Sequence, residues 1–196
     1  MGHTHKYHLV LRLLLLYLLI ITFCQFEGKR QVSAAVVLSL TLQDLVQQAD
    51  LIVFGRCEEM ISAWGAKRRR IFTNITVAPE RCLKPCNCPS RITIRQLGGT
   101  VDDFSIKIAG APEFQKGERV ILFLKTSATT FYQVLGMSQG KFSIIRKGAS
   151  YYVMRNLRGL TLVKKGGGGF QLDYQDGLKG EINLHRFISR VESYLR

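Results

Sequence analysis

Val120-Ile121-Leu122-Phe123-Leu124 is a run of five apolar residues with no polar position in it, led in by Gly117-Glu118-Arg119. A strand with one wet face alternates, whereas an unbroken run of this length suits a central strand covered on both faces. The other elements can be read outward from it. Leu51-Ile52-Val53-Phe54-Gly55-Arg56-Cys57 is a second buried strand, in which Gly55 marks a bulge or bend. Trp64-Gly65-Ala66-Lys67-Arg68-Arg69 then turns the chain into a strand that alternates Ile71, Thr73, Ile75 and Val77 against Phe72, Asn74, Thr76 and Ala78, up to Pro79. Arg91-Ile92-Thr93-Ile94-Arg95 alternates as a third strand with one wet face, and Phe131-Tyr132-Gln133-Val134-Leu135 is the fifth.

Between the third strand and the central one, Gly98-Gly99-Thr100 to Gly117 is a long connection with little hydrophobic period, and Ala111 to Glu118 reads as the turn that delivers the chain into the run. Ahead of the strands, Leu40 to Gln48 is a short amphipathic helix capped by Thr41, with Leu42, Leu45 and Val46 on one face. Behind them, Gly140-Lys141-Phe142-Ser143-Ile144-Ile145 and Tyr151-Tyr152-Val153-Met154 form a hairpin. Gly166 to Gly169 reads as a floppy hairpin tip. It is no phosphate loop, because Lys164-Lys165 precede the glycines and no helix follows directly. Ile182, Phe187, Ile188, Val191 and Leu195 mark a closing amphipathic helix over 181–195.

Five strands of this length, with bulge signals and a long third connection, predict a mainly β fold: a small closed barrel of the oligonucleotide/oligosaccharide-binding (OB) type, with an extra hairpin and a C-terminal helix. The expected organisation is a leader over 1–34, a lead-in helix over 35–48, the barrel over 49–146, and the hairpin, glycine tract and closing helix over 147–196.

The leader is legible on its own. Leu9 to Phe23 is nearly unbroken hydrocarbon, interrupted only by Arg12, with His3, His5 and Lys6 ahead of it and Val32-Ser33-Ala34-Ala35 behind. Basic start, apolar run and small-residue exit are the parts of an export signal, and cleavage is expected after Ala34. The uninterrupted stretch Leu13–Phe23 is 11 residues, short of the roughly 20 that a bilayer-crossing helix needs. Gln25-Phe26-Glu27-Gly28-Lys29-Arg30 places charge where a cleaved signal is neutral, so the alternative is a retained amino-terminal anchor that tilts and snorkels. Bulky Phe23 argues against lipid attachment at Cys24. The expected location is secreted or in the cell envelope, membrane-anchored only if the leader is retained.

The chain carries 28 Lys and Arg against 14 Asp and Glu, a net charge of +14. Without residues 1–34, which hold Lys6, Arg12, Lys29, Arg30 and Glu27, 24 basic and 13 acidic residues leave +11. A surplus of this sign favours anionic partners: lipid head groups, nucleic acid, acidic glycans or an acidic protein face. The basic residues are scattered apart from the cluster Lys67-Arg68-Arg69-Arg70 at the first turn.

Four cysteines follow the leader: Cys57, Cys82, Cys86 and Cys88. An even count in an exported chain predicts two disulfides. Cys57 and Cys82 lie on neighbouring predicted strands, which makes Cys57–Cys82 the first pairing to expect and leaves Cys86 with Cys88 as a strained or redox-labile pair. The alternative is a metal site from Cys82, Cys86 and Cys88 with a fourth ligand. The spacing is not a zinc-finger pattern and no histidine is near, so no metal is expected. Pro85 and Pro89 flank the pair and argue for a loop, not for a redox Cys-x-x-Cys that opens a helix.

Ala49-Asp50-Leu51-Ile52-Val53-Phe54-Gly55-Arg56, the basic turn, a long second strand ending in Leu83-Lys84-Pro85, then Arg91-Ile92-Thr93-Ile94 and Gly117 to Leu124 together resemble the layout of netrin modules and of tissue inhibitors of metalloproteinases. The resemblance covers 49–146. Gly98-Gly99 and Gly140-Lys141-Phe142 are also similar to segments of a group of exported bacterial proteins of unassigned function. The resemblance implies a netrin-type, OB-like barrel that binds protein, inhibitor-like, with a peptidase as partner. In the metalloproteinase inhibitors a cysteine at the mature amino terminus offers its amine and carbonyl to the protease zinc. Here the predicted mature end is Ala35-Val36-Val37, so that mechanism has no residue to land on.

Catalysis is disfavoured by inventory. After the leader the single histidine is His185, beside Arg186 in the closing helix, and Asp102, Asp103 and Glu113 read as an acidic loop. No Gly-x-Ser-x-Gly, His-Glu-x-x-His or phosphate-loop motif is present. Asn74-Ile75-Thr76 matches a glycosylation acceptor but lies inside a strand. The expected function is a secreted or envelope-located, non-catalytic protein-binding module without cofactor, using an exposed Trp64 with Lys67, Arg68, Arg69 and Arg70, where Trp and Arg are residue types enriched in binding hot spots. The alternative from another class is nucleic-acid or anionic-polymer binding, with Phe72, Phe131 and Tyr132 as stacking platforms beside the Lys67–Arg70 turn.

Overall fold

The computed structural model describes residues 34–196 apart from 86, 128, 129, 174–177 and 179. The leader and the fate of Cys86 therefore lie outside the described residues. The strands are β1 (Ala35–Leu38), β2 (Leu51–Trp64), β3 (Ile71–Lys84), β4 (Ile92–Leu97), β5 (Gly99–Val101), β6 (Phe104–Ile106), β7 (Arg119–Ser127), β8 (Phe131–Val134), β9 (Lys141–Lys147), β10 (Ser150–Met154), β11 (Leu160–Gly166), β12 (Gly169–Leu172) and β13 (Ile182–Asn183). Two helices accompany them, α1 (Leu42–Gln48) and α2 (Leu184–Ser193).

Strand β7, which contains the apolar run, is the hub. One edge pairs antiparallel with β2, from Leu51↔Leu124 to Arg56↔Arg119. The other edge is divided. β9 takes the first half, Val120↔Ser143 to Leu122↔Lys141, and β8 the second, Leu124↔Val134 to Ser127↔Phe131. β2 pairs with β3, β3 with β4, and β4 meets β8 in parallel at Ile94↔Tyr132, so β7-β2-β3-β4-β8 close into a five-stranded ring. β9, β10 and β13 continue the sheet off the ring.

Alternation along β7 explains why no polar residue interrupts the run. Val120, Leu122 and Leu124 point into the ring, among Leu51, Val53, Ile75, Val77, Ile92 and Ile94. Ile121 and Phe123 point the other way, into a second core with Ile52, Phe142 and Val153, closed by Leu42, Leu45 and Val46 of α1 and Phe187 and Val191 of α2. The rings of Phe123, Phe142 and Phe187 meet edge-on or tilted, with centroids 4.6–6.5 Å apart. α1 is held by a capping box between Thr41 and Asp44, and at its other end Lys84 Nζ donates to the carbonyls of Val46 and Gln47.

Gly55 sits at one of three register shifts between β2 and β3, and a Cβ there would lie 2.6 Å from the Ala78 carbonyl oxygen. The bulge read from this glycine is therefore a steric requirement. The five ring strands, the β9–β10 hairpin and the hairpin tip at the glycine tract, here the turn between β11 and β12, match expectation.

Three regions differ. The segment 35–48 is not all lead-in helix, because β-branched Val36 and Val37 put Ala35–Leu38 into a strand parallel to β11 and the helix begins at Leu42. The connection without hydrophobic period folds into the small β5–β6 hairpin. The closing helix runs Leu184–Ser193 and not over 181–195, because Ile182–Asn183 pair with β10 as strand β13.

The split of β7 between two cores sets a stability expectation. Leu122→Ala should cost about 2–5 kcal/mol and Phe123→Ala about 3–5 kcal/mol, each read as a lowered urea midpoint with a single transition.

Candidate functional site

β2 and β3 are 14 residues each, far longer than the stretch of β2 that β7 covers. From Glu59 to Trp64, β2 pairs only with β3, which is itself paired with β4 up to Phe72, so the outer edge of β2 is free here while β3 stays in the ring. The turn at the hairpin tip is tight: Gly65 N donates to Arg70 O (2.8 Å), Arg68 N donates to Gly65 O (2.7 Å), and Arg68 adopts a left-handed φ of 48°. Lys67, Arg68, Arg69 and Arg70 are all exposed, and none makes an ion pair or side-chain hydrogen bond among the described residues. Four adjacent uncompensated cations repel one another unless a partner supplies negative charge.

The structure thus brings Lys67 to Arg70 together at one point. Trp64 departs from expectation, being half-buried and not free. Its ring meets the edge of Phe104 at 5.5 Å, and it is Phe104, 61% exposed, that presents the open aromatic surface. The close approach of the β5–β6 hairpin depends on Gly99, with φ 131°, where a Cβ would overlap the side chains of Thr73 and Ser62. Ser62 Oγ and Thr73 Oγ1 share a hydrogen bond (2.9 Å), and Thr73 Oγ1 donates to Gly98 O.

On the opposite face of the hairpin, Ile61 (53% exposed) stands across from Asn74, and Asn74 across from Arg95. Arg95 donates from Nε to Asn74 Oδ1 (2.9 Å) and lies 3.6 Å over the Phe131 ring and 5.9 Å from that of Phe72. Asn74, the glycosylation match, is thus engaged inside the sheet.

Phe104 carried no signal in the sequence because it lies where no period is visible. Arg95 was visible as a wet-face position of an alternating strand, but its aromatic neighbours come from β3 and β8 and needed the ring to close.

The cysteines correct the expected pairing. The disulfide is Cys82–Cys88, with Cα atoms 5.9 Å apart, and Cys57 is a free, fully buried thiol. Register is the reason: Val53 stands opposite Cys82, and Cys57 stands opposite Val77, five residues along β3 from Cys82. Being on adjacent strands was not enough. Burial pushes the Cys57 thiol above its ordinary range, and the Glu118 charge adds to this.

Behind the ring, Ser143 sits in a small polar cluster: Lys141 Nζ donates to Glu118 Oε1 (2.7 Å) and to Ser143 Oγ (3.0 Å), and Ser143 in turn donates to Glu118. His185 is exposed, and Glu113 lies 3.8 Å from Lys107. Among the described residues no three His, Cys, Asp or Glu side chains converge.

Compared with protein-family models, curated proteins and solved structures, the chain shows no match.

Two measurements check the cysteine assignment. Non-reducing peptide mapping should recover a Cys82–Cys88 linked peptide and no Cys57 cross-link. Cys57 should resist alkylation in the folded protein at pH near 8.5, where an ordinary thiol is about half ionised, and react once urea unfolds the chain. Because the folded-state pKa is raised, the Cys57 contribution to stability is fully present below the unfolded thiol's pKa and is lost as pH rises beyond it. Cys57→Ala should therefore flatten the alkaline arm of the stability profile.

Proposed function

We propose that the chain is a non-catalytic, OB-like, netrin-type binding module that grips an acidic protein partner with the β2–β3 turn. The strand order supports the fold part of this reading. Numbered in chain order, the ring strands β2, β3, β4, β7 and β8 are one to five, one and four are neighbours, and three and five run parallel. Barrels of the OB type engage ligands through the face of strands two and three and the loops after strands one and four. Here that means β3 and β4, the Trp64–Arg70 turn and the connection ahead of Phe131.

The observation that carries the function is the tip itself. Four cations without carboxylate partners are flanked by exposed Ile61 and Phe104, with Trp64 braced behind them. Arg and aromatic anchors beside apolar surface are what protein interfaces concentrate. The partner should present acidic side chains around an apolar residue that reaches Phe104. A peptidase is the class that the netrin and inhibitor resemblance names, with the contact made through the tip and not through a chelating amino terminus.

A second reading takes the stack of Arg95 on Phe131, alongside Phe72, as part of a platform for a nucleic acid or other anionic polymer. Arg95 already covers the Phe131 face that a base would use, which favours the protein reading.

The test is capture from the envelope fraction of the source cells, followed by titration of the purified partner. Arg68→Glu/Arg69→Glu should weaken binding more than tenfold and flatten its salt dependence. Trp64→Ala should cost about 2 kcal/mol or more. Equal Kd values for native and charge-reversed protein would remove the tip as the site. Tight binding of an oligonucleotide at physiological salt would transfer the assignment to the second reading.

A further inference from the structure

From Glu59 to Trp64 one side of β2 is bonded to β3 and the other to nothing among the described residues. The hydrogen-bond phase follows from the turn. Gly65 N donates to Arg70 O, so Gly65, Ala63 and Ile61 face β3, and the N–H and C=O of Trp64, Ser62 and Met60 point to the open side. The far side of β3 agrees, since Gly98 N donates to the carbonyl of Ile71, the residue across from Trp64. The β5–β6 hairpin does not close this edge. A Cβ at Gly99 would overlap the side chains of Ser62 and Thr73 together, which puts β5 over the face of β2 and β3 and not beside β2. Open edges are blunted in natural proteins by lysine, proline or an inward-turned charge. Met60-Ile61-Ser62-Ala63-Trp64 has none of these. Met60 is 40% and Ile61 53% exposed, one on each face of the strand. Met60 also lines a cavity of about 300 Å³, together with Ile75, Ile106, Ile108 and Phe114.

We propose that an extended, acidic segment of the protein partner adds to this edge as a further strand. The inference rests on the reading of Lys67–Arg70 as the contact for an acidic protein, and it names the part of that protein that is held. Main-chain hydrogen bonds to Met60, Ser62 and Trp64 supply the grip, and side chains at alternate positions supply the selection. On one face of the added strand an apolar side chain meets Met60 and the cavity behind it, and on the other face one packs on Ile61. Charge selects the occupant. The edge runs into four exposed cations, so the segment carries Asp or Glu where it passes Trp64. At its other end the gap is closed by the chain entering β7, where Gly117 N donates to Cys57 O. A second copy fits this gap poorly. Antiparallel pairing of two β2 edges centred near Ser62 drives the turn of each copy into Gly117 of the other, and sliding the copies apart brings the two basic turns together.

The experiment uses the full, isotope-labelled chain and a synthetic probe: a heptapeptide in which Thr and Val alternate and the two residues at one end are Glu, made with the Glu pair at either terminus. Saturating peptide of one polarity should slow amide exchange at Met60, Ser62 and Trp64 about tenfold or more and leave Ile61 and Ala63, already bonded to β3, unchanged. N-methylation of alternate peptide amides should weaken binding about tenfold or more in one phase and little in the other. Met60→Pro, at an edge position that tolerates proline, should weaken it as well. A Lys-ended peptide should not bind. Unchanged exchange at Met60, Ser62 and Trp64 under bound peptide, equal binding of the two N-methylated forms, or no binding at millimolar peptide would overturn the proposal. So would protection of the same amides without peptide that rises with protein concentration, which assigns the edge to a second copy. The two readings fail separately. Binding that is lost in Arg68→Glu/Arg69→Glu but never protects the edge leaves the basic turn as the site and removes the strand. Edge protection that survives the charge reversal removes the turn and leaves the strand.

Discussion

Everything in the described structure depends on burying β7 on both faces. Val120, Leu122 and Leu124 fill the ring while Ile121 and Phe123 fill the core beneath α1 and α2. A strand in that position can tolerate no charge, since an unpaired polar side chain on either face would lose its water without gaining a partner. Its two edges are equally committed, one to β2 and the other shared by β9 and β8. The ring and the helix-covered layer are thereby built on one piece of backbone, and neither core is complete without it.

The same constraint frees one edge of β2. β7 holds β2 only as far as Arg56, while β4 accompanies β3 from Val77 up to Phe72 beside the turn, so the hairpin's tip is held through β3 and only the outer edge of β2 runs on unpaired from Glu59. The shape of the tip comes from local hydrogen bonds and from the β5–β6 hairpin, which Gly99 allows to approach. The scaffold is rigid where it is apolar. Charge is presented at the turn, where Lys67 to Arg70 are all exposed.

Much of this was legible in the sequence, and the exceptions share a cause. Strands whose burial is one- or two-faced leave a period or a run, so the five ring strands, the β9–β10 hairpin and α2 could be read directly. β1, β5, β6, β11 and β12 could not, because they are short, carry glycines or exposed apolar residues, and acquire strand character from a partner far away in sequence. The Cys82–Cys88 bond was missed for a related reason: neighbouring strands were inferred correctly, but the hairpin register, set by Trp64↔Ile71 at the tip, puts Cys57 opposite Val77 and Cys82 opposite Val53. For the candidate site, the sequence identified the cations of the turn and overstated the exposure of Trp64, whose cover, Phe104, lies in the segment without period.

Native-state hydrogen exchange across a denaturant series tests the central claim most directly. If one strand serves both cores, the amides of Val120–Leu124 and Leu51–Phe54 exchange only through global unfolding, and those of Phe142, Val153 and Val191 merge with them at the same free energy. Exchange of the outer layer at a clearly lower free energy, with the ring still protected, would contradict it and make the two cores separate units.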